Sequence, residues 1–303
     1  MSIKFQNLYK SYGDTEILHG VTFEVTPGKP MAFLGRNGAG KTTTIRGFMD
    51  VFRFDSGSVT MGDRPFNVRD FRVGYLPEER GLYQKHKILE QLIYFSKLKG
   101  IDGEIAKKNI LELLEKVELS EYADKKLETL SKGNQQKVQI VQALMNNPEI
   151  VILDEPFSGL DPVNSKILRD LVKEITDAGN YLIFSSHQMG YVEEMCEELT
   201  IIESGNIVVS DSIENIKKEM SGGRVTLYSE NINLGTLEMY LRSQIEEIEM
   251  SKTENELVIN LFDKNKSDFL QELLDIGIEI KNFGEYEPSV YDIFIQSVGE
   301  RNE

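Results

Sequence analysis

The segment Gly35-Arg36-Asn37-Gly38-Ala39-Gly40-Lys41-Thr42 constrains this chain more than any other, because it satisfies G-x4-G-K-[ST] in full. It follows the apolar run Met31 to Leu34 and precedes a run, Thr43 to Asp50, that opens like a helix. A strand, a glycine-rich turn and a helix N-terminus in that order aim backbone N–H groups inward at phosphate oxygens. On this reading Gly35, Arg36, Asn37, Gly38, Ala39 and Gly40 form the cradle, Lys41 reaches the outer phosphates, Thr42 offers its hydroxyl to Mg²⁺, and Thr43 belongs to the same turn. The alternative is a glycine-rich turn without a ligand. The complete match in its strand-to-helix context argues against it.

A second element supports the first. Ile150-Val151-Ile152-Leu153-Asp154-Glu155 is an apolar strand ending in two carboxylates. Asp154 is expected to hold Mg²⁺ and Glu155 to orient or deprotonate an attacking water. Alone, two acids after a strand more often open a solvated loop, but with a phosphate loop in the same chain the catalytic reading prevails.

Charge narrows the class. With 34 Lys and Arg against 50 Asp and Glu, the formal net charge is −16. This disfavours nucleic acid, whose binding draws on phosphate neutralisation by Lys and Arg, and it disfavours a polybasic membrane anchor. No apolar run reaches the roughly 18 residues of a spanning helix, and the N-terminus has no secretory apolar region. The one cysteine, Cys196, excludes an intramolecular disulfide and reads as a buried small side chain. The expected compartment is the cytoplasm.

A length of 303 residues implies roughly two domains. Residues 221–303 carry 17 acidic against 7 basic residues, and Ser221-Gly222-Gly223 precedes this change in composition. The boundary is therefore expected after residue 220. Strands are expected at Ile3 to Leu8, Val21 to Val25, Pro30 to Leu34, Ile150 to Leu153 and Tyr181 to Ser185, alternating with helices in an α/β pattern. Ile88 to Lys99 and Ile105 to Val117, the latter with Ile105, Ile110, Leu111, Leu114 and Val117 at helical spacing, predict an inserted helical subdomain over about 84–150. The tail reads as a small α+β domain.

Leu130-Ser131-Lys132-Gly133-Asn134-Gln135-Gln136, ahead of Asp154, resembles the signature of the ATP-binding cassette (ABC) family, usually Leu-Ser-Gly-Gly-Gln. The resemblance covers about residues 1–220 and holds for several motifs in the family's order. It implies a P-loop cassette with a mixed sheet core, ATP and Mg²⁺ as cofactors, and ATP hydrolysis. It also implies a head-to-tail dimer in which Ser131 and Gly133 of one copy close on the γ-phosphate held by Lys41 of the other. Tyr12 stands where the family stacks an aromatic on adenine, Asp161 lies in a D-loop-like Ser158-Gly159-Leu160-Asp161, and His187 matches the histidine that contacts the γ-phosphate. His19 and His86 have no such placement and read as structural.

Three positions depart from the pattern. Lys132 and Asn134 replace a signature glycine and the signature glutamine, and Glu78 stands where a glutamine usually touches Mg²⁺ and the attacking water. A single cassette without spans, with a tail ending in Glu287-Pro288-Ser289-Val290-Tyr291-Asp292-Ile293-Phe294, resembles the sodium, drug and peptide efflux branch. The resemblance then implies a subunit peripheral on the inner face of the cell membrane, powering export through a separate transmembrane permease. The alternative is a soluble ABC ATPase acting as an assembly or regulatory module without transport.

Overall fold

Alternating apolar residues build the first strands of the computed structural model, which describes residues 1–79, 81–244, 249–252, 256–262 and 264–299. In β1 (Ile3–Tyr12) the side chains of Ile3, Phe5 and Leu8 are buried, and in β2 (Thr15–Val25) those of Leu18, Val21, Phe23 and Val25. Such alternation suits an antiparallel sheet covered on one face. β3 (Met31–Leu34), by contrast, is buried at every position, as expected of a strand covered on both faces.

The chain continues through α1 (Lys41–Phe48), β4 (Ser56–Met61), β5 (Arg64–Pro65), β6 (Val73–Leu76), α2 (Ile88–Leu98), α3 (Gly103–Lys116), α4 (Lys132–Leu144), β7 (Ile150–Asp154), α5 (Pro162–Asp177), β8 (Tyr181–Ser185), α6 (Met189–Met195), β9 (Glu198–Glu203) and β10 (Asn206–Ser212). Among the described residues two sheets form here: an antiparallel one in the order β2-β1-β4-β5, and a mixed one in the order β10-β9-β3-β8-β7-β6. In the mixed sheet β9, β3, β8, β7 and β6 run parallel and only the edge strand β10 is reversed. Phenylalanines join the two sheets: Phe5 stacks on Phe23 at 4.1 Å and Phe23 on Phe33 at 5.2 Å, while Phe48 of α1 lies 5.1 Å from Phe5.

The helical insertion buries Ala106, Ile110, Leu114 and Val117, but Ile105 is 56% exposed and Leu111 is exposed as well. The Asp102 carboxylate accepts from the N–H groups of Glu104 and Ile105 and fixes where α3 begins. Ile105 is one position, about 100°, before Ala106 and Leu111 one position after Ile110, which puts them on opposite flanks of the buried stripe, so the apolar face is narrower than the sequence spacing implies. Cys196, expected inside a helix, is buried but follows α6 in extended backbone.

After β10 come α7 (Ile213–Ser221), β11 (Arg224–Ser229), α8 (Leu234–Gln244), β12 (Glu249–Lys252), β13 (Leu257–Asn260), α9 (Lys266–Asp275), β14 (Ile280–Glu285) and α10 (Val290–Val298). Residues Glu214–Ile293 form one compact unit, and Met1–Ile213 with the end of the chain from Phe294 form the other. The smaller unit is an antiparallel sheet, β12-β13-β11-β14, whose buried residues Val225, Leu227, Leu257 and Ile259 pack with Leu237, Leu241, Phe269 and Leu273 of α8 and α9. The expected domain boundaries at 220 and 221 fall at the end of α7, and residues 300–303 of the expected tail lie outside the described residues. No helix among the described residues is long and apolar enough to cross a membrane.

Candidate nucleotide site

Four neighbouring parallel strands, β3, β8, β7 and β6, release their C-terminal loops on one side of the sheet. The C-terminal edge of a parallel sheet is where α/β proteins bind ligands, and the phosphate loop and the Asp154-Glu155 pair lie there. The loop after β3 carries Lys41, that after β6 Glu78, that after β7 Glu155, and that after β8 His187. Together with Tyr12, Arg36, Asn37, Gly38, Gly40, Thr42, Thr43 and Asp154 they line a cavity of about 400 Å³.

The phosphate loop is closed by local sterics. Gly40 has φ +114° and caps α1, and a Cβ there would approach Leu18 Cδ2 to 2.8 Å. A Cβ on Gly35 would lie 2.3 Å from the carbonyl oxygen of Ile202 in β9. Only glycine fits either position. Ala39 is buried behind the loop, where its N–H donates to the Arg36 carbonyl (3.1 Å) and its carbonyl accepts from the Gly205 N–H (2.9 Å). Lys41 Nζ donates to the carbonyls of Gly35 (2.5 Å) and Arg36 (3.2 Å). Burial pushes its ammonium pKa down, and Asp154, Glu155 and Glu78 oppose that shift. Arg36 turns its guanidinium to the carbonyl of Gly299, in the terminal stretch of the same unit (2.7 Å).

On the carboxylate side, Ser185 Oγ at the end of β8 donates to Asp154 Oδ1 and orients that buried carboxylate. Glu155 has φ +50°, sparsely populated for a side-chain-bearing residue, and its N–H is held by the Ser185 carbonyl at 3.0 Å. Burial raises the Glu155 pKa. The His187 imidazole, with Nε2 3.6 Å from Glu155 Oε1, pulls it back, while Asp154 and Glu78 add to the rise. Gln136 of α4 donates to the carbonyls of Glu155 (3.5 Å) and Pro156 (3.1 Å) and fixes the turn from the other side.

Five expected residues do not line this cavity: Gly35 and Ala39 belong to the backbone of the loop behind it, and Ser131, Gly133 and Asp161 lie elsewhere. Ser131 caps α4, its Oγ accepting from the Asn134 N–H at 3.2 Å. A Cβ on Gly133 would lie 3.1 Å from the Gly159 carbonyl oxygen, so the signature and the 158–161 loop form one surface. Asp161 caps α5, accepting from the Asn164 N–H at 2.9 Å. Ser185, Gln136 and Ile17, another residue of the cavity wall, were missed in the sequence. For Ser185 a signal existed: a polar residue ending an apolar strand, at the level of the Asp154 strand end. Of the histidines expected to be structural, His19 is exposed with Nδ1 3.2 Å from the Glu16 carboxylate, and His86 packs edge-on against Tyr83.

The donors suit a magnesium nucleotide. Mg²⁺ takes one or two protein oxygens and draws its other ligands from phosphates and water. The Thr42 hydroxyl and the Asp154 carboxylate are of that kind, with Glu78 beside them.

Residues 18–158 match the ABC transporter family, and residues 212–298 match the C-terminal domain of DrrA1-3-like ATP-binding proteins. The ABC transporter ATP-binding protein YhaQ of Bacillus subtilis is 37% identical over 298 residues, 98% of each chain. The chain belongs to the ABC transporter ATP-binding proteins. The linearmycin resistance ATP-binding protein LnrL of the same organism is 30% identical, again over 98% of both chains. The Nod factor export ATP-binding protein I of Burkholderia orbicola is 32% identical over 67% of this chain and 68% of its own. Among solved structures, an ATP-binding subunit of an ABC transporter matches with TM-score 0.66 and 26% identity over 73% of this chain and 93% of that one. A bacterial ABC transporter cassette solved as a dimer matches with TM-score 0.62 and 25% identity over 69% and 98%. This ABC subunit therefore binds ATP and hydrolyses it to power transport.

Proposed function

We propose that this chain energises export through a separate permease, working as a head-to-tail pair on the inner, cytoplasmic face of the membrane. The observation that carries the reading is the split between two surfaces: Lys41, Asp154, Glu155 and His187 converge on one cavity, whereas Ser131 and Gly133 lie away from it at the start of α4. One copy thus has the phosphate cradle and the base but lacks the helix N-terminus that would face the γ-phosphate, and a second copy supplies it. The names of the related LnrL and Nod factor proteins, one for linearmycin resistance and one for Nod factor export, support outward transport.

The residues divide the chemistry as follows. The 35–40 loop and Lys41 hold the β- and γ-phosphates, and Tyr12 receives the base. Thr42 and Asp154 hold Mg²⁺, with Glu78 as a further oxygen donor. The metal supplies charge neutralisation on the phosphates. Glu155 takes the proton of the attacking water, aided by the raised pKa that burial gives it. His187, exposed at the cavity rim, steadies the Glu155 carboxylate and faces the γ-phosphate, and Asp161 carries the D-loop to the partner copy.

The test is ATP turnover by the full chain alone and after reconstitution with the polytopic membrane protein that co-purifies with it from detergent-solubilised membranes. Turnover is expected to rise on reconstitution, and to fall to background in both samples with Glu155→Gln. Turnover indifferent to the membrane protein would contradict the transport role.

A further inference from the structure

The strand that delivers Tyr12 to the cavity is anchored in an unusual way for a solvent-exposed ring. Tyr12, 53% exposed, ends β1 just before the turn at Gly13. The ring of Phe52, from the loop between α1 and β4, stands edge-on to it with centroids 5.9 Å apart and planes at 78°, and Phe54 stands edge-on behind Phe52 at 6.3 Å. Lys10 Nζ lies over both rings, 5.7 Å from the centroid of Tyr12 and 5.3 Å from that of Phe52.

The ammonium is itself held, donating to Asp55 Oδ1 at 2.8 Å and to the Arg53 carbonyl at 2.9 Å. The other oxygen of Asp55 accepts from the Ser11 N–H at 2.6 Å, and the Asp55 N–H donates to the Tyr9 carbonyl at 2.9 Å. The end of β1 is thus bolted to the 52–55 loop on both sides of Tyr12's neighbour Ser11.

We propose that Phe52 and Lys10 are positioning residues for the nucleotide base: tied down by Asp55, they hold the Tyr12 ring at the cavity rim in the orientation on which a base stacks. An aromatic at a turn tip would otherwise lose rotamer freedom when a ligand stacks on it, and a ring fixed beforehand loses less. The inference rests on the reading that Tyr12 receives the base. It adds that a second layer, out of reach of the phosphates, sets how strongly the base contributes to affinity.

The test titrates the full chain calorimetrically with ADP and with inorganic pyrophosphate, which has two phosphates and no base. Tyr12→Ala is expected to weaken ADP about 10-fold or more and to leave pyrophosphate unchanged; an unchanged ADP affinity would remove the base-stacking reading itself. Phe52→Ala is expected to weaken ADP about 2- to 10-fold at constant pyrophosphate affinity, and Phe52→Tyr to recover it. Added to Tyr12→Ala, Phe52→Ala should cause no further loss, because it acts through that ring. Lys10→Met should repeat the pattern at about 2-fold. Phe52→Leu keeps apolar volume without a ring, and it decides the same question if the alanine variant does not fold. With Tyr12 shown to matter, three results would overturn the positioning role alone: ADP and pyrophosphate weakened equally, ADP unaffected in both Phe52→Ala and Phe52→Leu, or a further loss in the Tyr12→Ala background.

Discussion

At the residue scale the chemistry turns on how two neighbours set the proton affinity of Glu155. Burial raises its pKa, so its carboxylate takes up a proton at a higher pH than an ordinary one, and the hydrolysis rate should begin to fall on acidification sooner than a free carboxylate would give. Removing the His187 side chain, which opposes that rise, raises the pKa further, whereas removing the Glu78 charge lowers it. His187→Ala is therefore expected to move the acid limb of the rate-against-pH profile up, and Glu78→Gln to move it down. Profiles of the two variants shifting in the same direction would contradict the electrostatic assignment. Lys41→Ala should instead act on affinity, because its half-buried ammonium sits within the phosphate loop, where it would meet phosphate oxygens. Its ATP dissociation constant, measured by calorimetry, is expected to rise at least 10-fold, for which about 1.4 kcal/mol suffices.

At the element scale the loops after β3 and β7 and the cap of α4 are the fragile parts. Gly40→Ala forces a Cβ into Leu18 at φ +114°. It should cost about 1–3 kcal/mol in chemical denaturation and also weaken nucleotide binding. Ser131→Ala removes the cap of α4 at about 1 kcal/mol, and should leave ATP binding by a single copy intact while reducing dimer formation. Retained ATP-driven dimerisation in that variant would count against the signature's role across the interface. Cys196, buried and with its thiol pKa pushed well above the usual range, should resist alkylation at pH 8 until the chain unfolds, so iodoacetamide labelling followed by mass spectrometry reports global opening.

The elements also show what the sequence could and could not disclose. The phosphate loop and Asp154-Glu155 were legible because each joins an uninterrupted apolar strand to residues of fixed chemistry, and a parallel strand's C-terminal end is the only place such residues converge. The expectation for Ser131, Gly133 and Asp161 rests on resemblance alone, since within one chain Ser131 and Asp161 cap α4 and α5, and Gly133 sits in the first turn of α4, away from the cavity. Gln136 and Phe52 were not legible: their partners are Glu155 and Tyr12, 19 and 40 positions away, and no local spacing encodes that pairing; Ser185 carried only the weak signal of a polar residue closing an apolar strand. Ile105 and Leu111 misled because one position of helical phase separates a buried stripe from its flank.

At the scale of the whole molecule, the compact unit Glu214–Ile293 has its own apolar core and none of the nucleotide motifs. A chain ending at Met220 is expected to remain folded and to bind ATP, losing the Gly299 partner of Arg36 but keeping the loop's backbone donors. A folded truncated chain without ATP binding would give the terminal stretch an essential part in the site. The central claim concerns two copies, because on the proposed reading the cradle of one and the signature of the other complete a site together. Sedimentation velocity of full-length Glu155→Gln tests it most directly, since that variant keeps the nucleotide-holding residues and lacks the base that would discharge them. With Mg²⁺ and saturating ATP it should sediment as a dimer, and with ADP, or when Ser131→Ala is added, as a monomer. A Glu155→Gln chain that stays monomeric at saturating ATP, or dimerises equally well with ADP, would contradict the head-to-tail sandwich.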